Sequence, residues 1–260
     1  MSDVEYFASE GLNNSFLIQF DRSPAHAYIP KVETEQMKTG KLLHTFILEP
    51  DIFKMQYVIA PSEIPHDKRT NSYKEFVKQQ SKDVLFESDS EILQKILKNI
   101  YRYRFEGMPL EKYLVKSEKE ISLFWDISIN ERSLQCKAKL DALYIDKNKA
   151  IIFDIKKTQS CLEFQKSVNT YRYYRQANYY LSGLKQLKPE LESVRFIFIV
   201  IEDQEPYGVM SYELDQAYLD AGAKETFKSI LKYVAWNGDK TELYENRTVL
   251  LSKPNWMLTD

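Results

Sequence analysis

The chain of 260 residues is long enough for one domain with a substantial core or for two small domains. Hydrophobic residues make up 43% and charged residues 28%, as in ordinary globular proteins, and a net charge of −2 excludes a uniformly basic nucleic-acid-binding chain. The N-terminal sequence MSDVEYFASE is too acidic and polar for a signal peptide, and no run approaches the roughly 18 apolar residues of a membrane span. Cys136 and Cys161 lack metal-ligand spacing and favour free thiols in a reducing compartment, with a disulfide as the alternative. We therefore expect a cytoplasmic protein that does not contact a membrane.

The predicted elements begin with a helix at 33–48, which Pro50 ends, followed by a polar loop at 60–70. The others are helices at 73–80 and 89–104, strands at 120–129, 134–145 and 150–157, a long helix at 163–186, strands at 194–201 and 208–214, and a helix at 215–236. There is no internal repeat and no linker rich in Gly, Pro or Ser. This order predicts a single α/β domain over residues 1–260, with helices packed on a mixed sheet.

The segment IIFDIKKTQS, residues 151–160, places charged side chains at the end of an apolar strand. Because side chains alternate along a strand, Asp154 and Lys156 should point to the same side. Asp141 ends the preceding predicted strand, and the two carboxylates converge if these strands form a hairpin. Two adjacent carboxylates repel each other, and a divalent cation such as Mg²⁺ removes the conflict. With Lys156 beside the metal, the pattern suits phosphodiester hydrolysis, whereas a surface Asp-Lys pair is the alternative.

Two further patterns support a site for phosphate. In YRYYRQANYYLSG, Gln176 and Tyr180 lie four residues apart on one helix face, and Arg172 lies one turn before Gln176, so the helix can direct Gln and Arg at phosphate oxygens. Residues 132–175 hold ten basic and four acidic side chains, an excess of +6 that fits phosphate-backbone binding or a solvated basic face. In GKLLHTFILEP, His44 follows Gly40 by one turn, and Gly40 should allow a neighbour to approach closely.

These motifs together resemble the PD-(D/E)xK nuclease superfamily and, within it, the RecE-like exonucleases. The matching segments, from about residue 12 to the end, are NNSFLIQFDRSPAHAY, GKLLHTFILEP, EKEISLFWD, CKAKLDAL, IIFDIKKTQS, YRYYRQANYYLSGL, FIFIVIEDQEPYGVMSYEL and LLSKPNWM. The resemblance implies a restriction-endonuclease-like fold with a mixed central sheet flanked by helices. It also implies Mg²⁺-dependent, ATP-independent digestion of linear double-stranded DNA from 5′ to 3′, with Mn²⁺ able to substitute. The 3′ single-stranded tails would serve recombination with an annealing protein of RecT type, and related exonucleases form ring-shaped homo-oligomers around DNA.

The resemblance assigns roles residue by residue. Asp141 and Asp154 look like the metal carboxylates, the backbone carbonyl of Ile155 is a further ligand, and Lys156 is the catalytic lysine. His44 matches a histidine that approaches the metal site in this branch.

The acidic residue of the preceding strand matches Glu120, with Glu118 as the competing candidate, and Gln176 and Tyr180 match the Q-x-x-x-Y motif. The sequence departs from the family at Ala138-Lys139-Leu140-Asp141, where Gly-Arg/Lys-Pro-Asp is usual, and at Lys156-Lys157-Thr158, where Lys-Thr-Thr is usual. The loss of Gly and Pro leaves the placement of Asp141 open. The other hypotheses are a single-strand or end-trimming nuclease of the superfamily and a nuclease fold that only binds DNA.

Overall fold

The computed structural model describes residues 1, 3–30, 32–244 and 248–253. The predicted motif LLSKPNWM, which begins at Leu250, lies partly outside the described residues. The helices are α1 Asp3–Ala8, α2 Asn14–Arg22, α3 Pro24–Tyr28, α4 Glu35–Leu48, α5 Pro50–Gln56, α6 Asn71–Gln79, α7 Glu87–Arg102, α8 Leu110–Lys116, α9 Phe164–Thr170, α10 Tyr173–Leu187 and α11 Gln216–Ala235. The strands are β1 Tyr57–Ile59, β2 Asp83–Leu85, β3 Arg104–Phe105, β4 Met108–Pro109, β5 Glu118–Ile129, β6 Arg132–Asp146, β7 Lys149–Thr158, β8 Ser193–Glu202 and β9 Val209–Glu213.

A five-stranded sheet in the order β5-β6-β7-β8-β9 forms the centre of the molecule. All neighbours are antiparallel except β7 and β8, which are parallel and joined through a short 3₁₀ helix, α9 and α10. Parallel strands need such a crossover, whereas β5, β6 and β7 are linked by tight turns. The structure confirms the predicted mixed sheet flanked by helices.

Helices cover both faces of this sheet because its strands are apolar on both sides. Along β8, Phe196 and Phe198 pack with α2, α9, α10 and α11, whereas Ile197 and Ile199 pack with α4, α7 and α8. This alternation is the period of two that a strand imposes. Gly183 lets α10 lie close to the sheet, since a Cβ there would come within 2.7 Å of the Trp125 ring. The helix α10 therefore packs closely on one face of the sheet, and α4 covers the opposite face.

The regular alternation is interrupted at one point in the pair β5–β6. Leu140 packs on the α10 face, but Leu143, three residues later, packs on that same face, so the alternation shifts between them. Opposite this shift, Glu120 has a left-handed backbone with φ of 51°, and the ladder has no pair between Lys119↔Ala142 and Ile121↔Leu140. Irregular pairing of this kind re-aims side chains and is frequent beside active sites. The irregularity lies where Asp141 meets Glu120.

Several sequence predictions need correction. The predicted long helix at 163–186 is two helices, because Arg172 has a left-handed backbone with φ of 55° between α9 and α10. Pro50 begins α5 as well as following the end of α4 at Leu48, since proline is well tolerated in the first turn of a helix. A Cβ on Gly40 would meet no atom within 4 Å, so the expected close approach there is wrong. Both cysteines are free and buried.

In the part of the chain that the structure describes, no helix combines the length and apolar character needed to cross a membrane.

Candidate active site

Asp141 and Asp154 come together where β6 and β7 separate. The last pair of this ladder is Ala142↔Phe153, so the two aspartates occupy the next, unpaired positions. The Ile155 backbone N–H donates a hydrogen bond of 2.7 Å to Oδ2 of Asp141. A carboxylate therefore replaces the backbone carbonyl that would have continued the ladder, and it is held next to Asp154. Asp141 lies within β6 and not at its end, which corrects the expected position while the convergence itself is as predicted.

Lys156 forms an ion pair with Asp154, so the two side chains share one side of β7 as the alternation predicts. The Asp154 side chain is only 2% exposed, and its burial raises its pKa to about 6, with the charge of Asp141 adding to this and Lys156 opposing it. Burial lowers the pKa of Lys156, but the carboxylates of Asp154 and Asp141 outweigh it and raise the pKa above its ordinary value. The lysine is thus held as a cation beside the two aspartates.

The helix α10 covers this pair with polar side chains from one face. Gln176 donates a hydrogen bond of 2.8 Å from Nε2 to Oδ1 of Asp154, and Tyr180 lies one turn later in α10. Burial, with the negative charge of Asp154, raises the pKa of Tyr180 well above its ordinary value. The Q-x-x-x-Y pattern therefore serves to fix one oxygen of Asp154 and leaves its other oxygen to Lys156.

His44 approaches the same point from α4, which lies on the other face of the sheet. Its Nε2–H donates a hydrogen bond of 2.9 Å to the Ile155 carbonyl, the backbone group that the resemblance assigns to the metal. Its Nδ1 lies 3.4 Å from Oδ2 of Asp141. Both ring nitrogens of His44 are therefore directed at groups that the resemblance assigns to the metal.

Glu120 lies beside this arrangement, whereas Glu118 is exposed and paired in the regular ladder with Leu143. The Glu120 carboxylate forms an ion pair of 2.9 Å with Lys139. Burial and the nearby charge of Asp141 raise its pKa, although Lys139 opposes them. Between the two acidic residues that the sequence left open, the structure places Glu120 at the site.

The donor set suits a divalent cation. One ligand atom each from His44, Glu120 and Asp141 lies within 4.8 Å of the others. The Ile155 carbonyl adjoins this group through its hydrogen bond with His44, and Asp154, the preceding residue of β7, is close enough for the charge of Asp141 to raise its pKa. Carboxylate and carbonyl oxygens suit Mg²⁺ and Mn²⁺, and imidazole suits metals of the transition series. The crowding of three carboxylates, two of which have raised pKa values, is the electrostatic conflict that such a cation relieves.

Arg172 is not on the helix face that was predicted. It precedes α10 in a left-handed conformation, and its guanidinium lies 3.7 Å from Asp21 and 3.6 Å from Glu225. The expectation that Arg172 sits one turn before Gln176 on a continuous helix is therefore wrong. A contact of Arg172 with the substrate stays a prediction.

The basic excess at residues 132–175 is largely used within the protein. Lys137 is buried and donates to the backbone carbonyls of Tyr6 and Ser9, and Arg175 is buried against Asp21 and Ser229. Other basic side chains of this segment have protein partners: Arg132, Lys139, Lys156, Lys157, Lys166 and Arg172. The charge count therefore overstated the positive surface offered to a phosphate backbone.

Sequence reasoning missed Tyr173. Nζ of Lys156 lies 5.0 Å from the centroid of the Tyr173 ring, so the aromatic face supports the ammonium. The signal was present, because Tyr173 lies three residues before Gln176 and thus shares its helix face.

Residues 14–242 match the model of a family described as a PDDEXK-like domain of unknown function, DUF3799. No curated protein matches the chain. Among solved structures, it is similar to a protein from Eubacterium rectale named "Putative exonuclease", with a TM-score of 0.62 and 12% identity over 100% of this chain and 98% of that chain. At this identity the likeness concerns the fold. A second structure, SSO0001, has a TM-score of 0.31 and 19% identity over 75% of this chain and 88% of that chain, and it carries no argument.

The sheet, its flanking helices and the Asp141, Asp154 and Lys156 constellation define the class as the PD-(D/E)xK nuclease superfamily. Within it, the chain belongs to the PDDEXK-like family DUF3799, whose model spans most of its length.

Proposed function

We propose that the protein is a divalent-metal-dependent DNA nuclease, specifically a RecE-like exonuclease that digests linear duplex DNA. The observation that carries this proposal is the convergence of His44, Asp141 and Asp154 with the Lys156 ammonium. His44 of α4 and Ile155 of β7 are 111 residues apart in sequence, yet they share a hydrogen bond. A surface Asp-Lys pair would need none of these partners.

The roles of the residues follow from their contacts. Asp141, Asp154, Glu120, His44 and the Ile155 carbonyl would hold the cation. A bound divalent cation polarises a phosphoryl oxygen and makes a water molecule more acidic. Lys156 supplies a fixed positive charge that stabilises the charge developing on the phosphate and orients the attacking water.

The residues of α10 then maintain this arrangement. Gln176 holds one oxygen of Asp154, and the other oxygen pairs with Lys156, so Asp154 keeps one orientation toward the lysine. Groups that orient metal ligands from behind contribute about 10- to 100-fold to metal affinity or activity. The proposed action of Gln176 is therefore indirect, through Asp154.

The proposed substrate is a linear double-stranded DNA end, digested from 5′ to 3′ without ATP. The resulting 3′ tails would pass to an annealing protein of RecT type, and the active form would be a ring-shaped homo-oligomer. The likeness to the Eubacterium rectale protein supports an exonuclease, whereas polarity, ring and partner rest on the sequence resemblance. We propose Mg²⁺ as the cofactor, with Mn²⁺ as a substitute that the imidazole of His44 favours.

A substrate panel tests the proposal. Purified protein is incubated with 5′-labelled linear duplex, nicked circle and single strand, with Mg²⁺, Mn²⁺ or EDTA and without ATP. The proposal predicts metal-dependent release of 5′ mononucleotides from the linear duplex only. Preferred cleavage of the single strand would instead identify a single-strand or end-trimming nuclease. Binding without cleavage in either metal would leave a silent DNA-binding fold. Asp141→Asn protein, prepared in parallel, controls for contaminating nucleases.

A further inference from the structure

Tyr171 is an exposed aromatic side chain at the break between α9 and α10. It ends α9 at its C-cap, and 60% of its surface is exposed. An aromatic ring in water loses the benefit of burial unless something covers it. Because Tyr171 lies next to α10, which contacts Asp154, a ligand of the active site could cover its ring.

A continuous series of contacts joins this ring to the active site. The centroids of Tyr171 and Tyr173 are 5.5 Å apart with an interplanar angle of 31°. Tyr173 lies in turn 5.0 Å from Nζ of Lys156. Tyr173 also stacks on Phe164, with the ring centroids 5.8 Å apart and an interplanar angle of 26°, and this contact holds its ring against the core. These two contacts place the exposed ring at most about 10.5 Å from the ammonium proposed to act on the cleaved phosphate.

The backbone that presents Tyr171 is anchored on its C-terminal side. Arg172 adopts its left-handed conformation with its guanidinium between Asp21 and Glu225. Arg175, on the first turn of α10, is fully buried and donates a hydrogen bond of 2.9 Å to Ser229. These contacts tie the helix break to α2 and α11, so Tyr171 is displayed from a fixed support rather than from a free loop.

We propose that Tyr171 is a stacking platform for an unpaired nucleobase of the DNA strand, at a nucleotide flanking the cleaved phosphate. This rests on the proposed nuclease function. A strand end that reaches a buried Asp154 and Lys156 has to leave the duplex stack, and an aromatic face replaces the lost stacking. Every base has such a face, so the contact is tolerant of sequence. The proposed active site would thus recognise an unstacked base beside the cleaved phosphate.

The test combines an abasic substrate with a variant. Linear duplexes carry either a normal base or an abasic analogue at each nucleotide flanking the first cleaved phosphate. They are cleaved by wild-type protein, Tyr171→Ala and Tyr171→Phe. Tyr101→Ala is the matched control, because Tyr101 is an exposed tyrosine on α7. Thermal unfolding of each variant shows that folding is retained.

We expect Tyr171→Ala to lower kcat/KM on the normal duplex by about 5- to 100-fold, the range that stacking of a base on an aromatic ring provides. Tyr171→Phe and Tyr101→Ala should match wild type. On the abasic duplex, wild type and Tyr171→Ala should be equal, because each change removes the same contact. The proposal would be overturned if Tyr171→Ala and wild type were equally active on the normal duplex. It would also be overturned if the abasic analogue lowered kcat/KM in Tyr171→Ala as much as in wild type.

A binding readout separates this inference from the nuclease proposal. Oligonucleotides with 2-aminopurine at the flanking nucleotide are titrated with protein in Ca²⁺. Stacking on Tyr171 predicts quenching by wild type and Tyr171→Phe that is lost in Tyr171→Ala. Cleavage by wild type with no such difference in quenching would reject the platform and keep the nuclease. Quenching that depends on Tyr171 without cleavage of any substrate would support the platform and reject the nuclease.

Discussion

The backbone conformation of Glu120 predicts how substitutions at this position change the stability of the protein. Its φ of 51° places an L side chain in the left-handed region, which glycine adopts without steric cost. Such strain is kept at functional positions when the surroundings enforce it. Replacing Glu120 with Gly should therefore give a more stable protein than replacing it with Ala, although both variants lose the same carboxylate and the same ion pair with Lys139.

The magnitude follows from two opposing effects. A non-glycine residue in the left-handed conformation costs about 1–2 kcal/mol. Glycine loses about 0.5–1 kcal/mol more than alanine through chain entropy. The balance is about 1 kcal/mol in favour of Glu120→Gly. For a chain of this size it corresponds to a rise of about 2–4 °C in Tm over Glu120→Ala.

Urea unfolding of the metal-free proteins measures this difference. Ser122, two residues later in β5 and within the regular ladder, supplies the control pair. There, Ser122→Ala should be more stable than Ser122→Gly, the reverse order. If Glu120→Ala proved as stable as Glu120→Gly or more so, the left-handed conformation would be wrong, and the placement of the Glu120 carboxylate beside Asp141 would lose its structural basis.

Further predictions concern the catalytic strand and the bound metal. Lys156→Ala should lower kcat by about 100-fold or more while sparing DNA affinity. Lys157→Ala should stay near wild type, because Lys157 faces away and pairs with Asp203 at 3.2 Å. Single-turnover kinetics compare the two variants, and a larger loss of rate in Lys157→Ala would contradict the assigned side-chain alternation of β7. Arg172→Ala should lower the salt slope of duplex affinity in Ca²⁺ by about one on a log-log plot, and an unchanged slope would limit Arg172 to anchoring the helix break. Since the pKa of Asp154 is raised to about 6 in the folded state, the metal-free fold should lose stability as pH rises from about 4 to about 6, by up to about 3 kcal/mol from this group. Added Ca²⁺ should therefore raise Tm little at pH 5 and more at pH 7, and a shift independent of pH would argue against Asp154 as a ligand.

The central features of the fold could be predicted because they depend on local patterns. The apolar alternation of β7 and β8 predicts buried strands, and the same alternation predicts that Asp154 and Lys156 share a side. Gln176 and Tyr180 are four residues apart on one helix, so their shared face follows from helix geometry. Local signals also mark α2, where the Asn13 side chain caps the helix and Leu17 is buried.

Other features depend on contacts between distant parts of the chain. The break before α10 needs Arg172 in a left-handed conformation, and its ionic partners Asp21 and Glu225 are far away in sequence. The choice between Glu118 and Glu120 depends on the shifted alternation opposite Asp141, which no period in the sequence indicates. Likewise, the count of basic residues could not show that Lys137 would be buried under the N-terminal segment.

The proposed nuclease activity depends most directly on Asp154 as part of a metal-dependent catalytic centre. The decisive measurement is single-turnover cleavage of linear duplex by wild type and Asp154→Asn in Mg²⁺ and Mn²⁺. Asp146→Asn serves as the matched control, because Asp146 is an exposed aspartate at the end of β6. We predict that Asp154→Asn keeps its fold but loses at least about 100-fold in rate, with Asp146→Asn unaffected. Near-wild-type cleavage by folded Asp154→Asn in either metal would contradict the account.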